Sequence, residues 1–399
     1  MAPLTFEQAR ALFPALEKRA WLNAAASSPG SSVVLTRMKA HLDETLESGD
    51  LGYPTWLRSK EAVRARLARF IGATRPQDVA FTPSTSFGFH LIAQCLKARG
   101  LTEVLALESE FPSTTVPLLN AGLTIRAVRR RSDGSAPVED YEAALRPTTK
   151  AVAASVVQFD SGYRVDLDGL SKLCRDRGLP LILNAAQAIG QVPLEVERLG
   201  AAFMAGTSHK WLAATYGLGL FYAQPQWLEG TLPLAGWLSV AADDLWLPFP
   251  SANRVDDANG FVVTGARTRH DASALEAGAI PWVTLHALDA ALELQEALTP
   301  AAILEHNLGL QAVLRKELRA RGFTPNAPDD PAVGSGICVI NVEGDPATAV
   351  RELLQKRSVA TTPRGGGVRI STHLFNNESD VQQLISAIDQ LGIRPPMVK

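Results

Sequence analysis

Between residues 78 and 222 the chain alternates short, β-rich apolar runs with stretches of helical periodicity. The predicted strands are Val79–Phe81, Val104–Leu107, Thr124–Val128, Ala151–Val157, Leu179–Leu183, Phe203–Ala205 and Leu218–Tyr222. Between them lie stretches such as Asp168–Arg175, whose apolar residues recur at helical spacing. Such alternation implies an α/β fold with a mainly parallel seven-stranded sheet and helices on both faces. Sheets of this kind bind ligands outside the carboxyl ends of their strands. The residues just after each run are therefore the candidates for a site.

Residues 223–265 are richer in Pro, Trp, Gly and Asp and read as loops. Helical patterns follow over Pro281–Leu298 and Ala301–Arg321. The second carries an apolar stripe of Ile303, Leu304, Leu308, Val313, Leu314 and Leu318. The tail alternates again, with a strand at Ile337–Val342, a helix at Pro346–Arg357 and a strand at Val368–Ser371. A last helix starts near Asn377, a good N-cap, and buries Val381, Leu384, Ile385 and Ile388. The expected organisation is an N-terminal arm over residues 1–30, a large domain over 31–282 and a smaller α+β domain over 283–399. The arm is expected to pack near the small domain.

A chain of 399 residues, 46% hydrophobic and 20% charged, can bury the core that this organisation needs. Its formal net charge of −2 gives no basic footprint for nucleic acid or an anionic membrane. No apolar run is long enough to span a bilayer. The first residues, from Met1 to Glu7, lack a basic region followed by a long apolar run, so no secretory leader is expected. Cys95, Cys174 and Cys338 are odd in number and far apart, which argues against a disulfide framework and fits a cytoplasmic setting. The seven histidines include no pair at metal-ligand spacing with a nearby carboxylate, so no metal is expected.

The most informative candidates lie in Gly206-Thr207-Ser208-His209-Lys210-Trp211, followed by Gly217-Leu218-Gly219. The pattern is strand, polar turn, lysine, glycine-rich turn, strand. Lys210 is either a solvated strand-end lysine or a desolvated amine able to form a Schiff base with an aldehyde. Upstream, Thr82-Pro83-Ser84-Thr85-Ser86 opens a helix. Its hydroxyls and free N–H groups suit a phosphate, or simply cap the helix. Phe111 follows the Val104–Leu107 run, and either stacks on a flat ring or plugs a loop. Gln158 follows Ala151–Val157. Asn184 either hydrogen-bonds a cofactor ring nitrogen or caps a helix, and Gln187 can reach a ring hydroxyl. Arg369 sits among apolar neighbours on its strand. It either clamps a carboxylate with two hydrogen bonds or lies on the surface.

In this order, these residues resemble the class V aminotransferase family of fold type I pyridoxal-phosphate enzymes. That family includes cysteine desulfurases, isopenicillin N epimerase-like proteins and kynureninase. The resemblance runs from Trp21-Leu22-Asn23-Ala24-Ala25 to Arg369-Ile370-Ser371-Thr372-His373. It is strongest at Ser208-His209-Lys210-Trp211-Leu212, preceded by Asn184-Ala185-Ala186-Gln187. It implies pyridoxal 5'-phosphate as cofactor, held by Lys210 as a Schiff base, with the lysine later shuttling protons. It implies that Thr85, Ser86, Thr207 and His209, with Ser84 beside them, bind the phosphate. Phe111 would stack on the pyridine, Gln187 would meet the phenolic oxygen, and Gln158 and Asn184 would complete the cofactor contacts. Arg369 would bind the substrate α-carboxylate, with Asn23 as a second substrate contact. Lys210, Asn184 and Phe111 are thus the implied catalytic set. The implied partners are an amino acid or small amine and a second copy of the chain, with active sites at the interface.

Three departures from the family pattern bear on chemistry. The family has an aspartate where this chain has Asn184. A neutral amide does not stabilise a pyridinium by charge, so a weaker electron sink is expected. Relatives carry a Gly-Thr pair where this chain has Gly278-Ala279, and their threonine reaches the partner subunit's phosphate. Ala279 lacks that hydroxyl, so either phosphate binding weakens or another donor compensates. No cysteine follows Cys338, which reads as a buried strand residue, so persulfide-forming desulfuration is disfavoured. On the approach to Arg369, Arg364-Gly365-Gly366-Gly367 is either a mobile gate or a hairpin turn. The expected function is enzymatic, at Cα of an amino acid or small amine, as in aminotransferases and isopenicillin N epimerase-like proteins. One alternative is Cβ–X lysis, C–S included, or desulfurase-like activity without a persulfide cysteine. An alternative of another class is a regulator or scaffold of this fold that has lost catalysis.

Overall fold

The computed structural model describes residues 2–131, 134–230, 232–241, 254–364 and 366–397. All seven predicted strands share one sheet. Its order is Val79–Thr82, Gly219–Ala223, Ala201–Thr207, Leu181–Asn184, Ala151–Ser155, Glu103–Leu107, Thr124–Val128. Six strands run parallel, and Gly219–Ala223 runs antiparallel to both neighbours. Successive side chains enter two separate cores. Leu105, Leu107, Val152, Ala154, Leu181 and Leu183 face one, and Val104, Ala106, Ala151, Ala153, Ile182 and Phe203 face the other. Burial on both faces is why these strands are apolar throughout rather than alternating.

The predicted Ala151–Val157 run leaves the sheet after Ser155. The neighbouring strand Glu103–Leu107 has ended by then, and the Ser155 N–H turns to the Glu110 carboxylate instead. Of the stretch expected to be loops, residues 231 and 242–253 lie outside the described ones. Its end is a hairpin, Arg254–Asp257 with Gly260–Val263. Both strands are exposed along their length, so no buried face imposes the alternation that marks a strand in sequence.

The C-terminal part builds a four-stranded sheet, in the order Pro325–Asn326, Ile337–Asn341, Gly367–Ser371, Thr362–Arg364. Helices Pro300–Ala320, Pro346–Arg357 and Glu378–Leu391 pack against it through one core. Asn377 caps the last of them by accepting from the Ser379 and Asp380 N–H groups. Thr362–Arg364 and Gly367–Ser371 pair as a hairpin, with Arg364 opposite Gly367; the expected gate or turn includes Gly365, which lies outside the described residues. The N-terminal segment joins this region. Ala20–Trp21 pairs in parallel with Val359–Ala360, and Asn23 bridges Ser371. Among the described residues no helix is long and apolar enough to cross a membrane.

Candidate functional site

At the carboxyl ends of the large sheet lies a cavity of about 310 Å³. Its walls include Ser84, Thr85, Ser86, Phe111, Gln187, Thr207, His209, Lys210 and Arg369. Asn23, Gln158 and Asn184 are not among them. A larger hollow, about 860 Å³, lies at the opposite strand ends beside Lys150, Gly178 and Gly200, away from every candidate.

Lys210 follows the strand Ala201–Thr207, and its loop is fixed from several distant segments. The Ser208 hydroxyl donates to the Thr215 and Leu218 carbonyls at 2.8 and 2.7 Å. Ser28, in the N-terminal arm, donates its N–H to the His209 carbonyl at 3.0 Å and its hydroxyl to the Lys210 carbonyl at 2.6 Å. Trp211 is fully buried. Its carbonyl accepts from Gln295 Nε2 at 2.8 Å and from His373 Nε2 at 2.7 Å. Burial lowers the His373 pKa to about 3, so the ring is neutral. The Trp211 indole N–H donates to Gln187 Oε1 at 2.7 Å. Gly190, at φ +102°, makes this packing possible, since a Cβ there would stand 2.4 Å from the Trp211 carbonyl oxygen.

The Lys210 amine is not the solvated lysine of the first alternative. Burial lowers its pKa to about 8, and Arg369 and Arg364 push the same way. Nζ stands 5.6 Å from the centroid of the Phe111 ring. Phe111 itself meets Phe159 edge-on, 5.1 Å between centroids at 78°.

At one end of the cavity the helix Thr85–Ala98 begins. The Ser84 hydroxyl accepts from the Phe87 N–H and caps it. The first-turn N–H groups of Thr85 and Ser86 have no acceptor within the helix. Gly219 runs beneath this turn, where a Cβ would come within 2.8 Å of the Ser84 Cα. Thr207 Oγ1 and His209 Nδ1 are 2.8 Å apart. Burial, and then Lys210, lowers the His209 pKa to about 4. This end therefore presents neutral donors on a helix N-terminus.

Arg369 is 1% exposed. Its Nη1 donates to the Phe159 carbonyl at 3.1 Å, while Nε and Nη2 have no partner among the described residues. Burial, and then Arg364, lowers its pKa to about 9. Arg364 shares the cavity, and its Nε also has no partner among the described residues. Buried donors without acceptors are costly, and here they face a cavity that an anion could fill.

The remaining candidates sit behind the walls. Asn184 ends its strand with Oδ1 accepting from the Ala186 N–H at 2.9 Å and Nδ2 donating to Thr114 at 2.8 Å. Gln158 donates to Glu110 at 3.2 Å. Asn23 accepts from the Thr362 hydroxyl. Ala279 is exposed and outside the cavity. All three cysteines are free and buried, and burial raises the Cys338 pKa to about 12. Sequence reasoning missed Ser28, Ser113, Arg364 and His373. Ser113 and Arg364 line the cavity, and Ser28 and His373 hold the lysine loop. Ser28 bonds a residue 182 positions away, a proximity that no local pattern carries.

The Aminotransferase class-V family model matches residues 20–239. The isopenicillin N epimerase of Amycolatopsis lactamdurans is 28% identical over 353 residues, covering 82% of this chain and 84% of its own. A cysteine desulfurase structure from Thermococcus onnurineus NA1 has a TM-score of 0.83 at 20% identity, covering 98% of this chain and 99% of that one. The C-DES mutant structure with glycine covalently linked to its PLP cofactor has a TM-score of 0.81 at 19% identity, covering 94% and 98%. These two structures share the fold. The donor set of the cavity suits pyridoxal phosphate: a desolvated, half-buried amine, an aromatic face beside it, uncommitted helix N–H groups and an orphaned guanidinium. Matched across more than half of its length, the chain belongs to the class V aminotransferase family and is a pyridoxal-phosphate enzyme.

Proposed function

We propose that this enzyme acts at Cα of an amino acid or small amine, with Lys210 as both the covalent cofactor anchor and the proton-transfer group. The observation that carries this reading is a pairing within one cavity. The Lys210 amine, lowered to about 8, shares it with an Arg369 guanidinium whose Nε and Nη2 lack partners among the described residues. Bound there, pyridoxal phosphate supplies an electron sink for the pair left when a bond at Cα breaks.

The chain's own residues do the rest. Lys210, partly neutral near pH 7, is suited to take and return the Cα proton. Phe111 offers a face to a planar ring. Neutral His209 and Thr207, with the first-turn N–H groups of Thr85 and Ser86, suit a phosphate; Ser84 caps the helix that presents them. Gln187 Nε2 donates to the Ala25 carbonyl at 3.0 Å and keeps a second hydrogen for a ring oxygen. Arg369 suits a carboxylate held by two parallel hydrogen bonds. Asn23, tied to Thr362 and Ser371, supports the wall that carries Arg369. In this reading both the large (31–282) and small (283–399) domains contribute walls.

The buried cysteines leave the cavity without a thiol, which favours chemistry at Cα, or Cβ–X lysis, over persulfide transfer. Free, buried cysteines also suit a reducing, cytoplasmic setting. Leu35, Leu42 and Leu46 are exposed on one face of the helix Ser32–Ser48, which favours a homodimer.

Adding L- and D-amino acids and small amines to the holoenzyme tests the reading. A substrate shifts the visible band of the bound cofactor. Arg369→Gln should keep the band but raise the half-saturating concentration about 10- to 100-fold, the loss of a charged hydrogen bond worth about 1.5–3 kcal/mol. A full panel that leaves the spectrum unmoved would contradict action at Cα of an amino acid or small amine.

A further inference from the structure

Glu110 is a buried carboxylate one residue before Phe111, and the chemistry proposed above leaves it unused. Its Oε1 accepts from the Ser155 N–H at 2.7 Å and from Gln158 Nε2 at 3.2 Å. Its Oε2 accepts from the Ser155 hydroxyl at 2.5 Å and the Thr114 hydroxyl at 3.4 Å. All four donors are neutral. Burial pushes the Glu110 pKa up, and these hydrogen bonds pull against it. A buried carboxylate without a cation is costly, so a counter-charge arriving with a ligand would relieve it.

The hydrogen bonds show by which route such a charge would couple to Glu110. Three adjacent strands end here: Glu110 follows Glu103–Leu107, Ser155 ends the next, and Asn184 ends the third. Asn184 Nδ2 donates to Thr114 Oγ1 at 2.8 Å. An amide nitrogen cannot accept in return, so Thr114 directs its own hydrogen at Glu110. The Ala186 N–H occupies one lone pair of Asn184 Oδ1 and fixes the orientation of the amide. Each donor from Asn184 onward thus points toward the carboxylate, and Oδ1 keeps a second lone pair.

We propose that Glu110 is the remote counter-charge for a protonated pyridine nitrogen of the cofactor, acting through Thr114 and Asn184. The inference rests on the pyridoxal-phosphate reading above. Asn184 lies two residues before the cavity-lining Ala186, and a ring N–H reaching past that wall would donate to Asn184 Oδ1. The polarised amide then strengthens the Nδ2–H bond to Thr114, and Thr114 the bond to Glu110, in a chain whose members reinforce one another in a buried setting. The negative charge expected at position 184 from the family pattern lies here one amide and one hydroxyl further back. An aspartate at 184 would set two carboxylates against the same Thr114 hydroxyl, which like-charge repulsion disfavours. Asn184 and Glu110 therefore fit each other. The expectation of a weak electron sink considered Asn184 alone. Glu110 is a positioning residue, because it reaches the ring only through its partners.

Nitrogen-15 NMR of holoenzyme loaded with ring-labelled pyridoxal phosphate reads the protonation of that nitrogen apart from turnover. The expected wild-type resonance at neutral pH is that of a protonated pyridine. Glu110→Gln and Thr114→Val should shift it to the neutral-pyridine value, while Thr114→Ser, which keeps the hydroxyl, should hold the wild-type position. A neutral ring nitrogen in the wild type, or a protonated one in both Glu110→Gln and Thr114→Val, would overturn the proposal. Should Glu110→Gln fail to fold, the Thr114→Val and Thr114→Ser pair decides alone. Failure of the underlying reading shows separately, as wild-type protein that carries no lysine-bound cofactor.

Discussion

Lys210 owes its chemistry to groups far from it in sequence. Burial and the two arginines set its pKa to about 8 against the usual 10.5. Near pH 7 this makes the neutral, nucleophilic form roughly 300 times more abundant than on a free lysine. The folded pKa is depressed, so the buried amine is destabilising below about pH 8, and the effect fades as pH rises toward 10.5. Capture of pyridoxal phosphate by the apoprotein should follow the neutral fraction. Its rate, measured by stopped-flow absorbance, should climb about tenfold per pH unit below pH 8 and level off above it. Arg364→Met removes a like charge and should move that midpoint upward; a flat profile would contradict the buried-amine picture. Lys210 was legible because a strand, a polar turn and a glycine turn bracket it. Glu110 did not stand out, because its partners Ser155 and Gln158 come from another strand end.

Strands were readable where both faces are buried, as in Leu181–Asn184, since continuous apolar runs bounded by turns have few other readings. The Arg254–Val263 hairpin and the helix Ser32–Ser48 were not. The hairpin strands are exposed, and the helix buries only Val34 and His41 of its 17 residues, so neither carries a clear stripe. Some junctions between elements rest on charge. Glu276 accepts from Arg64 Nη1 at 2.5 Å and from the Phe81 N–H at 3.1 Å, tying the helix Tyr53–Phe70 to the strand Val79–Thr82. Both side chains are 1% exposed, and Lys60 joins them at 3.0 Å. Removing Glu276 leaves the buried Arg64 only the largely exposed Glu61 carboxylate, at 2.9 Å, as counter-ion. Glu276→Gln should therefore destabilise the fold by about 3–5 kcal/mol, read as a lower denaturant midpoint. A change below 1 kcal/mol would show that the junction rests on packing alone.

The molecule as a whole leaves Leu35, Leu42 and Leu46 exposed at 53%, 53% and 86%. Aligned on one helix face, they form a patch that suits a second copy of the chain. Light scattering of the purified protein should report a dimer. The double substitution Leu42→Glu with Leu46→Glu should yield a folded monomer; an unchanged dimer would move the interface elsewhere. Lys210 is the proposed point of attachment of the cofactor. Borohydride reduction of the holoenzyme followed by peptide mass spectrometry locates the attached cofactor. The expected result is one pyridoxyl group, on the peptide containing Lys210. A pyridoxyl group on another lysine, or none, would contradict it.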